Sequence, residues 1–122
     1  MIRKYEEIAQ GDNYDIEIEY MQHTFPNSKF CICIPIDELD DVISKEKKIY
    51  LKHTYLEYDI WIGINKYKTV YYTVECEKMS KRNIIYKLIS QGVEGKEYYH
   101  YLEDITRTHQ DNNTNFELHF GC

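Results

Sequence analysis

Alanine is almost missing from this chain: Ala9 stands alone beside 16 isoleucines, 12 lysines and 13 tyrosines. Such a skew is what an AT-rich coding genome produces, whether bacterial, phage or of a large DNA virus. The tyrosine excess is therefore weak evidence of function by itself. Proline and glycine are also scarce, at 2 and 5 residues. That excludes a Pro-rich linker or a Gly-rich low-complexity segment.

No apolar run approaches the roughly 18 residues that a membrane-spanning helix needs. The start, "MIRKYEEIAQGD", lacks the apolar core of a signal peptide. The expected setting is the cytoplasm of a bacterial host cell, for a gene of bacterial, phage or plasmid origin. There Cys31, Cys33, Cys76 and Cys122 stay reduced. A basic excess is missing too. The formal charge is −6, with 13 acids against 7 Lys/Arg in residues 1–61 and 8 of each in residues 62–122. Duplex DNA and anionic lipid demand a basic face for counterion release, so neither is expected as main partner. A larger, basic protein fits better.

Catalytic motifs are absent as well. There is no G-x-S-x-G and no H-E-x-x-H, and "GVEGK" (Gly92 to Lys96) lacks the P-loop spacing. A Cys/His pair brought together by folding leaves a weak hydrolase or metal enzyme as the remaining catalytic option. In "KFCICIPI" two cysteines alternate with isoleucines. Zinc sites favour CxxC knuckles, so a CxC on a straight strand, even with Cys76, Cys122 and His119 to hand, reads as apolar packing. No metal and no cofactor are expected.

What is present suffices for one domain spanning residues 1–122, with 43% hydrophobic and 30% charged residues. "YDIEIEY" (14–20) alternates apolar and acidic residues like a half-wet strand. "KFCICIPI" is apolar on both sides and reads as a central strand. "DELDD" then opens a short helix capped by Asp37, its acids favoured by the helix dipole. Strands are expected near 49–55, 57–64 and 69–77, with a hairpin turn at 65–68. Ser80 caps a helix that ends at Gly92. "EYYHYLEDITRTH" reads as a second amphipathic helix, and "NFELHF" as a closing strand with Phe116, Leu118 and Phe120 inward. The order ββαβββααβ predicts an α+β fold, a mainly antiparallel sheet of five to six strands with a C-terminal helical pair on one face.

Two sites compete. Asp15, Glu17 and Glu19 on an acidic strand face, with Trp61 and Tyr71, form a partner-binding surface suited to an inhibitor or immunity-type protein that blocks a basic enzyme such as a nuclease. The alternative rests on "EKMSKRN". Lys81 and Arg82 crowd a helix start that is already positive, which makes an anion pocket. Ser80, Lys81 and Arg82, with Arg107 and His109, would hold a nucleotide-like phosphate ligand, as in a small-molecule sponge. An open aromatic strand edge also predicts a homodimer.

Overall fold

The computed structural model describes residues 14–96, 99–108 and 113–121. Their order is α1 (Tyr14–Thr24), β1 (Cys31–Ile32), a 3-10 turn (Ile36–Glu38), β2 (Val42–Ser44), β3 (Lys48–Asp59), β4 (Ile64–Glu75), β5 (Met79–Ser80), α2 (Lys81–Ser90), β6 (Tyr101–Arg107) and β7 (Asn115–Gly121). The fold is α+β. A five-stranded sheet runs β1-β6-β7-β3-β4, and β2 and β5 form a separate two-stranded ribbon. Pairing is antiparallel for β3–β4 and β6–β7 but parallel for β1–β6 and β3–β7, so the large sheet is mixed.

Alternation along β3 sets the core. Ile49, Leu51, His53 and Tyr55 turn to one face and are buried. Phe116 and Leu118 of β7, Leu102 and Ile105 of β6, and Val74 of β4 are buried with Ile49 and Leu51 in the core. Met21 from α1, Phe25 just past its end, and Ile84, Ile85 and Leu88 from α2 complete the same cluster. Each such side chain withdrawn from water contributes about 1.5–3 kcal/mol. Tyr50, Tyr67 and Tyr71 are exposed. Among the described residues no helix is long and apolar enough to cross a membrane.

The helix over 81–90 and the strand over 115–121 match the sequence reading, including the Ser80 cap, whose hydroxyl accepts from the Asn83 N–H, and the left-handed Gly92 at φ 76°. Five expectations are corrected. "YDIEIEY" is helical, because Ile18, Met21 and Phe25 continue at spacings of three and four, and Met21 and Phe25 bury in the core. "KFCICIPI" forms a strand only at Cys31–Ile32, at the edge of the sheet instead of its centre, with an isolated bridge from Lys29 to Glu94. Phe30, Ile32 and Ile34 are buried as expected, but Cys31 is exposed instead of filling the core. The segment after Pro35 makes only one 3-10 turn before extending into β2.

Strands expected at 49–55 and 57–64 are one continuous strand to Asp59, and the hairpin turn lies at 60–63, not 65–68. Finally, "EYYHYLEDITRTH" is not a second helix but contains strand β6. Leu102 and Ile105 are three apart, a helical spacing. A bulge between Leu102 and Asp104 inserts the extra residue that lets both side chains bury. The expected C-terminal helical pair is thus replaced by one N-terminal and one central helix.

Candidate functional site

The β3–β4 hairpin is longer than the sheet that supports it. Strand β7 pairs with β3 only from Tyr50 to Lys52, whereas the β3–β4 ladder runs on to Asp59 and Ile64. Beyond that support the hairpin is a two-stranded arm. Its root is held by side chains: Tyr55 is buried, with the Lys96 ammonium 5.6 Å from its ring and the tilted Tyr99 ring 6.3 Å away. Cross-strand contacts tie the two strands together, among them Thr54 to Thr69 at 3.0 Å between hydroxyls and, further out, Leu56 opposite Tyr67.

Asp59 builds the tip. Its carboxylate accepts from the Trp61 N–H at 2.9 Å and, more loosely, from the Ile62 N–H. Its carbonyl accepts from the Gly63 N–H at 2.8 Å, and Gly63 closes the loop at φ 68°. An Asx turn followed by a left-handed glycine is a good solution for a four-residue loop. The loop presents Trp61 at 93% exposure and Ile60 at 74%, with Ile62, Ile64 and Tyr58 exposed beside them. Contiguous exposed apolar surface of this kind is typical of interaction sites.

Of the expected partner-binding residues, Trp61 is at this tip and Tyr71 is exposed on β4 of the same hairpin. Glu17 and Glu19 lie on α1, which packs beside β1 at the opposite edge of the sheet from β4. The acids and the aromatics are therefore on different elements, not one strand face. The side chain of Asp15, and His109 as a whole, lie outside the described residues.

The anion-site residues meet a different arrangement. At the start of α2 the Lys81 N–H donates to the Asp41 carbonyl, the Arg82 N–H to the Leu39 carbonyl and the Asn83 N–H to Ser80. These are the donors a phosphate would use. Lys81, only 6% exposed, sits between Glu38 at 3.1 Å and Asp104 at 3.0 Å. Burial opposes its charge, but the hydrogen bonds that it donates to Asp104 and Glu38 outweigh that and raise its pKa. Arg82 forks onto Asp40, which holds that carboxyl below its usual range. Lys81 and Arg107 do line one open recess of about 520 Å³, but Asp41 and Asp104 line it too, and Arg107 donates to the Ile43 carbonyl. The acidic "DELDD" and the basic "SKR" are each other's partners, and the pocket's positive field is already neutralised.

Sequence reading missed Ile60, Ile62 and Ile64 as exposed residues, assigning them to a strand near 57–64. The signal was Asp59 followed four residues on by Gly63, which marks a loop inside an apolar run. His53 was missed as well. It is 4% exposed among Tyr55, Tyr99 and Phe120, and its Nε2 has no hydrogen-bond partner. Burial, reinforced by Lys96 and offset in part by Glu117, lowers its pKa to about 4. Among the described residues no three His, Cys, Asp or Glu side chains lie together as a metal site would require. Comparison with family models, curated proteins and solved structures finds no match to this chain.

Proposed function

We propose that this protein acts by binding, and that the tip of the β3–β4 arm is the part that enters its partner. The observation that carries the reading is Trp61, 93% exposed at the end of a hairpin that extends past its own sheet. A tryptophan flanked by isoleucines supplies the type of anchor on which interface energy concentrates, where truncation to alanine removes about 2 kcal/mol or more. The occupied cleft would belong to a larger protein, and blocking that cleft is what an inhibitor or immunity-type protein does. Two charge features favour protein over lipid. The arm carries Glu57 and Asp59 as well as Lys66 and Lys68, so no basic collar surrounds the tip, and the whole chain is acidic at −6. A basic partner, such as a nuclease, is the complementary choice, with the acids of α1 steering its approach from a distance.

The phosphate-binding alternative draws no comparable support, because a ligand at Ser80–Arg82 would have to displace backbone and carboxylate partners already in place. The test is affinity capture from the source cell with wild-type, Trp61→Ala and Lys81→Met/Arg82→Gln baits, followed by an activity assay of any captured enzyme. One protein retained by the wild type, lost from Trp61→Ala and inhibited on binding, supports the reading. Capture indifferent to Trp61, or co-sedimentation of the tip with neutral phosphatidylcholine vesicles, would overturn it.

A further inference from the structure

The arm leaves one long edge of backbone open, and its polarity can be worked out residue by residue. Cys76 donates its N–H to Lys47 at 3.0 Å, extending the register in which Lys48 opposes Glu75. Antiparallel ladders alternate, so even-numbered residues of β4 bond to β3 and odd-numbered ones turn N–H and C=O outward. Gln91 confirms the parity, for its side-chain amide donates to the outward carbonyl of Thr73 at 2.7 Å. Among the described residues no strand lies beyond β4. Asn65, Tyr67, Thr69 and Tyr71 therefore face outward along an unpaired edge, with neither proline nor bulge to blunt it.

We propose that this edge pairs with the β4 edge of a second copy of the chain, antiparallel and centred on Thr69. The choice of centre follows from charge and from Gln91. Only odd residues face out, so the two copies pair odd with odd. A two-fold axis on Tyr67 sets Lys66 against the second copy's Lys68, and an axis on Lys68 sets that residue against itself. Like charges directly opposite are destabilising. Moving the axis to Val70 or beyond draws the Thr73 carbonyl, already taken by Gln91, into the centre of the ladder. The axis on Thr69 escapes both faults. It gives Tyr67 opposite Tyr71 on one face, and Lys66 and Lys68 opposite Tyr72 and Val70 on the other. Among the axes that oppose no lysine pair it also gives the longest ladder that stops short of Thr73. Each unsupported arm then lies along the supported half of its neighbour's β4, two five-stranded sheets become one, and the two Trp61 tips point away from each other.

The inference stands apart from the binding role of the tip, and the tests separate them. Sedimentation equilibrium across micromolar to millimolar concentration should show a species of twice 14.8 kDa. Thr69→Pro removes an N–H that β3 does not use, and should weaken dimerisation at least tenfold. Thr69→Lys, a fold-safe change at an exposed position, opposes two charges at the axis and should do the same. With the four native cysteines changed to serine, Thr69→Cys should oxidise readily to a covalent dimer, since a bonded antiparallel pair has Cα atoms about 5.5 Å apart, within disulfide reach. Lys68→Cys should not. Trp61→Ala should leave the dimer intact. A chain that stays monomeric throughout, dimerisation indifferent to both Thr69→Pro and Thr69→Lys, or loss of the dimer in Trp61→Ala alone, would each overturn the proposal.

Discussion

Near Lys48 and Glu75 the β3–β4 ladder carries Ile49, Leu51 and Val74, all fully buried; at its far end it carries Ile60, Trp61, Ile62 and Ile64 in solvent. Both ends use β-branched and aromatic residues, and both obey the same pairing register. The difference is what lies against them. At the supported end β7 extends the sheet, and the buried β3 side chains join α1 and α2 in one core. At the far end no described element covers the side chains, and a lone two-stranded hairpin is only marginally stable in water. One end is apolar because the fold needs it; the other is apolar without benefit to this chain's own stability. Exposed apolar residues of the second kind are what the proposed contact at the tip would use.

That contrast can be attacked in order of expected effect. Leu51→Ala in the supported half should lower stability by about 3 kcal/mol, through lost transfer energy and the cavity left behind. Urea denaturation measures it; a loss under 1 kcal/mol would mean the core lies elsewhere.

The boundary between the halves runs through His53, whose acid behaviour is next in size. Its pKa is about 4 in the fold against 6.5 ordinarily, so the folded state binds fewer protons at intermediate pH. Stability is whole above about pH 6.5 and declines as pH falls toward 4, by at most roughly 3 kcal/mol and less if the site admits water. His53→Phe should flatten that slope while leaving a separate loss below about pH 4, where Asp40 gives up its pairing with Arg82. An unchanged slope in His53→Phe would place the titrating group elsewhere.

Gly63→Ala comes third. An added Cβ meets nothing closer than the Tyr58 hydroxyl at 3.8 Å, so the penalty is the left-handed backbone alone, about 1 kcal/mol. Hydrogen exchange should show it confined to the arm, with amides near Ile49 and Leu51 unaffected. If body amides lose protection equally, arm and body unfold as one unit. Smallest of all, Trp61→Ala should change stability by less than about 0.5 kcal/mol. A larger drop in melting would show that the tip packs against its own chain.

Legibility in the sequence followed the same boundary. The α2 helix was readable because its cap, apolar stripe and terminal glycine are all local. The strand character of residues 49–75 was readable from β-branched and aromatic content. The turn was misplaced because Asp59 and Gly63 sit inside an apolar run that looks like a buried strand. β6 imitated a helix because a bulge gives Leu102 and Ile105 a spacing of three, and no window of sequence distinguishes that from a helical turn. The ion pairs at the start of α2 were hidden for a different reason. Lys81 and Arg82 look unpaired to any local reading, since Glu38 and Asp40 are more than forty residues earlier.

The sequence by itself determined an α+β chain with an acidic balance, the helix at 81–90, the last strand, and Trp61 and Tyr71 as candidate contacts, because composition, capping and alternation act over a few residues. Tertiary structure alone decided that "YDIEIEY" is helical, that "DELDD" neutralises the start of α2, that His53 is buried with no hydrogen-bond partner for its Nε2, and that the β3–β4 hairpin outruns its sheet. Each of these depends on which surface of one element meets another distant in sequence. Burial and ion pairing are properties of that meeting, and a local pattern of residues cannot contain them.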